Sequence, residues 1–211
     1  MDEIKRLYDA ILAGDAKNAK AATEAALAAG MEPMTLVQET MMPAMDEVGR
    51  RFERNEYFVP ELLIAARAMK TALELITPHL VASGAEPMGR VVIGTVQGDL
   101  HDIGKNLVAS MLEGGGFQVV DLGVDVSAEK FVEAAKEKDG TIVALSALLT
   151  TTMTMMKTVI DALQKAGIRS KVKVMIGGAP ITQQYANEIG ADGFSDNASA
   201  AVAVARKFVV K

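Results

Sequence analysis

The chain has 211 residues, half of them apolar, and its 22 Lys and Arg against 27 Asp and Glu leave a formal net charge of −5. That length suits one medium and one small domain, and an acidic balance without a Lys/Arg cluster argues against nucleic acid as a partner. The absence of cysteine excludes disulfides, iron–sulfur clusters, thiolate zinc sites and a cysteine nucleophile, so metal chemistry here needs His and carboxylate ligands or a metal carried inside an organic cofactor.

The amino-terminus, Met1-Asp2-Glu3-Ile4-Lys5, carries charges of both signs, and no apolar run approaches a membrane span. The expectation is a soluble cytoplasmic protein with no signal peptide and no membrane partner.

Residues 2–82 contain no strand alternation, and their apolar residues recur at helical spacing. Ile4, Leu7, Tyr8, Ile11 and Leu12 form one face of a first helix that Gly14-Asp15 ends, and an Ala-rich second helix runs from Ala16 to Ala29 before Gly30. A third is predicted from Pro33 to Phe52 with Leu36, Val37, Met41 and Met45 inward. A fourth is predicted from Pro60 to Leu80 with Leu62, Leu63, Ala66, Met69 and Leu73 inward. These lengths and short turns fit a four-helix bundle. Phe52 and Val59 read on periodicity alone as bundle core, and His79, behind Thr77-Pro78, as a structural residue at a helix end. The Met41-Met42-Met45 and Met153-Met155-Met156 groups read as adaptable packing.

Periodicity is lost before Arg90, where Gly, Pro and Ser gather. The expected organisation is therefore a helical domain over 1–82, a linker over 83–90 and a second domain over 91–211. In that second domain short β-branched runs, at 91–96, 118–122, 141–146, 173–176 and 193–194, alternate with helices at 102–114, 127–138, 153–166, 182–189 and 198–208. The alternation predicts an α/β domain, a Rossmann-like or flavodoxin-like parallel sheet of five strands with helices on both faces, following an all-α cap.

With strand order 2-1-3-4-5, a ligand binds at the carboxyl ends of the strands, where the order reverses. The unusual residues fall there: Gly98-Asp99-Leu100-His101-Asp102-Ile103-Gly104 after strand 1, Ser146 to Thr152 after strand 3, Gly177-Gly178 after strand 4 and Ser195 to Ala198 after strand 5. Each has an ordinary explanation alone: a satisfied histidine, capping hydroxyls, a tight turn. Together they point to a groove with exposed backbone for a polar ligand.

Three segments then carry a resemblance: Asp99-Leu100-His101-Asp102-Ile103-Gly104, Ser146-Ala147-Leu148 and Gly177-Gly178. The chain resembles the corrinoid-binding proteins, with their Asp-x-His-x-x-Gly, Ser-x-Leu and Gly-Gly signature. Its helical first domain is similar to the cap of the cobalamin-binding module of methionine synthase and of the small corrinoid proteins of one-carbon methyltransferase systems. The resemblance implies a cobalamin or related corrinoid cofactor whose cobalt takes His101 as its lower axial ligand. It implies a relay from His101 through Asp99 to Thr152. Ser146 and Thr150 would meet the buried nucleotide base, Gly98, Gly177 and Gly178 would make room for the ribose-phosphate tail, and Ala198 would close that pocket. Leu100, Asp102, Ile103, Gly104 and Leu148 belong to the same cofactor-binding segments, and Phe52 and Val59 would shield the upper face.

The implied function is a methyl carrier, without a complete active site of its own. It would accept a methyl on cobalt(I) from a substrate through one methyltransferase and deliver it from methyl-cobalt(III) to an acceptor through a second. A reductive activase is a further implied partner. General resemblance favours an O-demethylase or related system, with methylamine and methanol systems compatible. The alternative is a cobalamin-dependent sensor or regulator, which the lack of Trp, of a basic recognition helix and of spare length disfavours.

Overall fold

The computed structural model describes residues 2–84, 86–137 and 141–209. The chain divides into two compact units, the first running through Pro87 and including Glu113–Gly116, the second comprising Met88–Leu112 and the chain from Phe117 on.

In the first unit α1 (Asp2–Leu12), α2 (Ala16–Ala28), α3 (Pro33–Leu36), α4 (Met42–Glu53) and α5 (Val59–Ser83) form the bundle. Ala19, Ala22 and Ala26 of α2 and Ala65, Ala68 and Ala72 of α5 are buried, and these small side chains let α2 lie close against α5. Leu7, Ile11, Met41, Met45, Leu62, Met69 and Ile76 fill the remaining core. Leu63, expected inward, is instead 44 % exposed, because the buried stripe of α5 runs through its neighbours Leu62, Ala65, Ala66 and Met69.

The predicted third helix is one rod with a defect: Val37–Met41 forms a π turn between α3 and α4, and the Met42 N–H bonds five residues back to the Val37 carbonyl. Pro43 accounts for it. Proline has no N–H to give to the preceding turn, and its ring crowds the carbonyl four residues back, so widening that turn by one residue relieves the clash. By contrast α5 continues through Pro78 to Ser83, which places the exposed His79 inside the helix rather than at its end.

The second unit holds β1 (Arg90–Thr95), α6 (Ile103–Gly114), β2 (Gln118–Asp121), α7 (Ala128–Lys136), β3 (Ile142–Ser146), α8 (Thr154–Lys165), β4 (Lys173–Gly177), α9 (Gln183–Ile189), β5 (Gly193–Phe194) and α10 (Ala198–Val209). The five strands are parallel, in the order β2-β1-β3-β4-β5. Central β1 is buried along its length, as its continuous apolar run dictates. Lys138, the expected end of α7, and Ala85 of the linker lie outside the described residues. A 3-10 turn at Arg169–Lys171 precedes β4, where the sequence gives no periodicity to announce it.

Helix α9 starts on a side-chain cap, with Thr182 Oγ1 accepting from the Tyr185 N–H at 3.1 Å, and stops at Gly190 in the left-handed region. Thr182→Ala is expected to cost about 1 kcal/mol in urea unfolding, the usual worth of such a cap. Among the described residues no helix is long and apolar enough to cross a membrane.

Candidate functional site

The order of the sheet reverses between β1 and β3, and the candidate site lies at their carboxyl ends. Beyond β1, the Val96 N–H bonds to the Ser146 carbonyl at 3.0 Å, and the Asp99 N–H turns back to the Val96 carbonyl at 3.1 Å. This turn carries the Asp99 side chain completely out of solvent.

The Asp99 carboxylate then gathers donors from two loops. Its Oδ1 accepts from the His101 ring at Nδ1 (2.7 Å) and from the His101 backbone N–H (3.1 Å). Its Oδ2 accepts from the Thr152 hydroxyl (2.6 Å) and from the backbone N–H groups of Leu148 (2.8 Å) and Leu149 (3.4 Å). Burial opposes the charge, but the Thr152, Leu148 and His101 hydrogen bonds outweigh it and hold the carboxyl well below the usual carboxylate range. The Thr152 hydroxyl is thus directed to Asp99 rather than capping α8, which has no side-chain cap.

An ionised carboxylate only accepts, so the proton of His101 resides on Nδ1 and the lone pair on Nε2. Nε2 has no hydrogen-bond partner among the described residues, and half of the side chain (51 %) is open to solvent. Such an imidazole, held in one tautomer, is able to serve as a monodentate metal ligand.

The donor set also says which kind of metal it suits. Among the described residues no group of three His, Asp or Glu could hold a bare ion. Large apolar side chains accompany the imidazole instead: Leu100 (72 % exposed) in its own loop, Ile103 (74 %) opening α6, and Leu148 (42 %) and Leu149 (43 %) in the loop that reaches Asp99. One fixed nitrogen donor among exposed apolar groups fits a metal already held within a broad organic ring.

The other expected residues occupy the same sheet edge. Gly98 sits in the turn after β1, and Asp102 and Gly104 are exposed around the start of α6. Ser146 and Gly177 end β3 and β4 as direct register partners, and Thr150 is exposed in the β3 loop. Gly178, at φ +136°, passes so near the β3 loop that a Cβ would lie 1.9 Å from the Ala147 carbonyl oxygen. Ala198 is buried at the first position of α10, whose start Asn197 caps by accepting from the Ala200 N–H at 2.8 Å.

In the first unit, Phe52 on α4 is half-buried and Val59, opening α5, is 39 % exposed, so neither belongs to the bundle core that periodicity alone suggests. Phe58, which sequence reasoning passed over, is 60 % exposed beside them in the chain. Two polar residues behind the His101 loop were also missed. Thr95 donates its hydroxyl to the His101 carbonyl at 2.8 Å, and Asp125 accepts from the Gly98 N–H at 2.7 Å. Thr95 is hidden in an apolar strand; Asp125 follows Gly123-Val124 after β2, a weak turn signal.

Residues 89–204 match the family model described as B12 binding domain, and residues 3–77 match a second model of that description. Trimethylamine corrinoid protein 1 of Methanosarcina acetivorans is 46 % identical over 205 residues, covering 96 % of this chain and 95 % of the relative. Dimethylamine corrinoid protein 3 of the same organism is 42 % identical over 207 residues, covering 98 % and 97 %. The crystal structure of the methanol:cobalamin methyltransferase complex MtaBC from Methanosarcina barkeri is similar at a TM-score of 0.86 and 31 % identity, over 99 % of this chain and 80 % of that chain.

Proposed function

Because the chain belongs to the family of corrinoid proteins with B12 binding domains, we propose that it is the cytoplasmic methyl carrier of a methylamine methyltransferase system, serving one methyltransferase that supplies the methyl and a second that removes it. The names of the relatives support methylamines over O-demethylation as the source. The structure of a corrinoid methyltransferase complex supports a direct methyltransferase partner; a reductive activase is a further proposed partner. Residues 1–82 would be the cap, 83–90 the linker and 91–211 the cofactor domain.

The corrinoid, when bound, supplies a cobalt centre able to take up and release a methyl group. His101 would hold that centre through Nε2. Asp99 keeps the imidazole in the ligating tautomer, and Thr152 with the Leu148 amide keeps Asp99 ionised and aimed. Ser146 and Thr150 would offer hydroxyls to the nucleotide base, Gly98, Gly177 and Gly178 would leave space for its ribose-phosphate tail, and Ala198 would close the pocket. Leu100, Ile103 and Leu148 would give apolar contact to the cofactor, with Asp102 and Gly104 at the start of α6, and Phe52 and Val59 are proposed as further apolar contacts of it.

One observation carries this reading: the His101 ring is fixed through Nδ1 on a buried carboxylate while Nε2 is left open. The test is reconstitution with hydroxocobalamin, then assay against methyltransferases specific for tri-, di- and monomethylamine, methanol and aryl methyl ethers, followed by absorbance. The expected result is a coloured protein that is methylated in a methylamine arm. A colourless product would defeat the carrier reading, and transfer confined to the methanol or aryl ether arm would defeat the methylamine assignment.

A further inference from the structure

The loop after β2 lies outside every motif named above, yet it holds the His101 loop from behind. It is itself anchored first: Asp121, ending β2, pairs with the buried Lys105 of α6 and accepts from the Gly123 N–H at 2.8 Å. Gly123 accepts in turn from the Thr95 N–H at 3.0 Å, and the Val126 N–H returns to the Thr95 carbonyl at 3.0 Å. Thr95, with its backbone so fixed, gives its hydroxyl to the His101 carbonyl.

From this anchored loop Asp125 makes a reciprocal clasp. Its N–H donates to the Asp99 carbonyl at 3.0 Å, and its Oδ1 accepts from the Gly98 N–H at 2.7 Å. The clasp joins two left-handed residues, Asp125 at φ +53° and Gly98 at φ +82°. For a residue other than Gly that conformation is unfavourable, and Asp and Asn tolerate it best. A carboxylate at this position therefore satisfies two demands at once, an acceptor for Gly98 and a backbone that turns left-handed.

We propose that Asp125 is a positioning residue for His101: by clasping Gly98 and the Asp99 backbone it fixes where the Asp99 carboxylate stands, and so which nitrogen of the imidazole is left open. The importance of that nitrogen for a cofactor rests on the carrier reading; the clasp itself does not.

The test separates the two. Asp125→Gly removes the carboxylate while easing the left-handed backbone, and Asp125→Asn restores an acceptor in a residue that tolerates the same φ. In cofactor-free protein, ring nitrogen NMR of His101 is expected to report one Nδ1–H tautomer in the wild type, a mixture in D125G and recovery in D125N. On adding hydroxocobalamin, the ratio of His-ligated to unligated spectrum is expected to fall about tenfold in D125G, as outer-shell losses do, and to return in D125N.

A D125G protein with the wild-type tautomer and ligation ratio would overturn the proposal. Should D125G fail to fold, amide exchange in the wild type decides: the Gly98 and Asp125 amides are expected to exchange more slowly than Leu100, and equal exchange would overturn the clasp. Wild-type protein that binds no hydroxocobalamin defeats the carrier reading, and the tautomer measurement still judges Asp125.

Discussion

Asp99→Asn is expected to weaken both the fold of the cofactor-free protein and the ligation of an added corrinoid, although the two side chains have the same shape. Every group that faces Asp99 is a donor. Three of them, the backbone N–H groups of His101 on Oδ1 and of Leu148 and Leu149 on Oδ2, cannot reverse their role. An amide has only one oxygen, so its NH2 must confront one of these fixed donors whichever way it is turned. Leaving such buried groups unpaired costs about 2 kcal/mol, measurable as a shift in the urea midpoint. If the NH2 turns toward His101, the ring answers by moving its proton to Nε2, which closes the lone pair. The His-ligated fraction with hydroxocobalamin should then drop by about 10- to 100-fold. An unfolding midpoint and a spectrum both matching the wild type would show that Asp99 is not needed as a double acceptor.

Gly178→Ala is expected to be the most damaging single methyl addition at the sheet edge. The new Cβ would sit 1.9 Å from the Ala147 oxygen, and the φ of +136° is one that side-chain-bearing residues avoid. Either Gly178 or the β3 loop must then move, at a cost of about 3 kcal/mol in urea unfolding. Gly104→Ala is the control: nothing lies within 4 Å of its added Cβ, and it sits in α6, so its effect should stay within about 0.5 kcal/mol. Equal stability of the two variants would mean that Gly178 does not limit how closely the loops after β3 and β4 approach.

Burial and periodicity made much of the fold legible. Val91, Val92 and Ile93 announce a strand covered on both faces, and Leu7 with Ile11 the inner side of the first helix, because both elements are organised by where apolar surface goes. The π turn at Val37–Met41 was not legible, since Pro43 signals a disturbance without saying whether the helix stops, kinks or widens. At the site, the cluster of small and hydroxylic residues at the strand ends pointed to the edge where the Asp99 carboxylate gathers its donors. The pairing of Asp99 with Thr152 came only from the family signature, because no periodic pattern connects residues on different strands. Thr95 and Asp125 stayed hidden for the same reason: their roles are hydrogen bonds to backbone groups of another loop, and backbone carries no letter in a sequence.

The bonds on Asp99 have a consequence for the order of assembly. Leu148 lies 49 residues from Asp99 and Thr152 lies 53, so the carboxylate obtains three of its five hydrogen bonds only after β1 and β3 have come together. Contacts of that separation pay loop-closure entropy before they return anything, and they form late. In refolding from urea, far-ultraviolet ellipticity should therefore recover ahead of the single His101 tautomer. A chain newly made would carry its helices for a time before it could tell one ring nitrogen from the other.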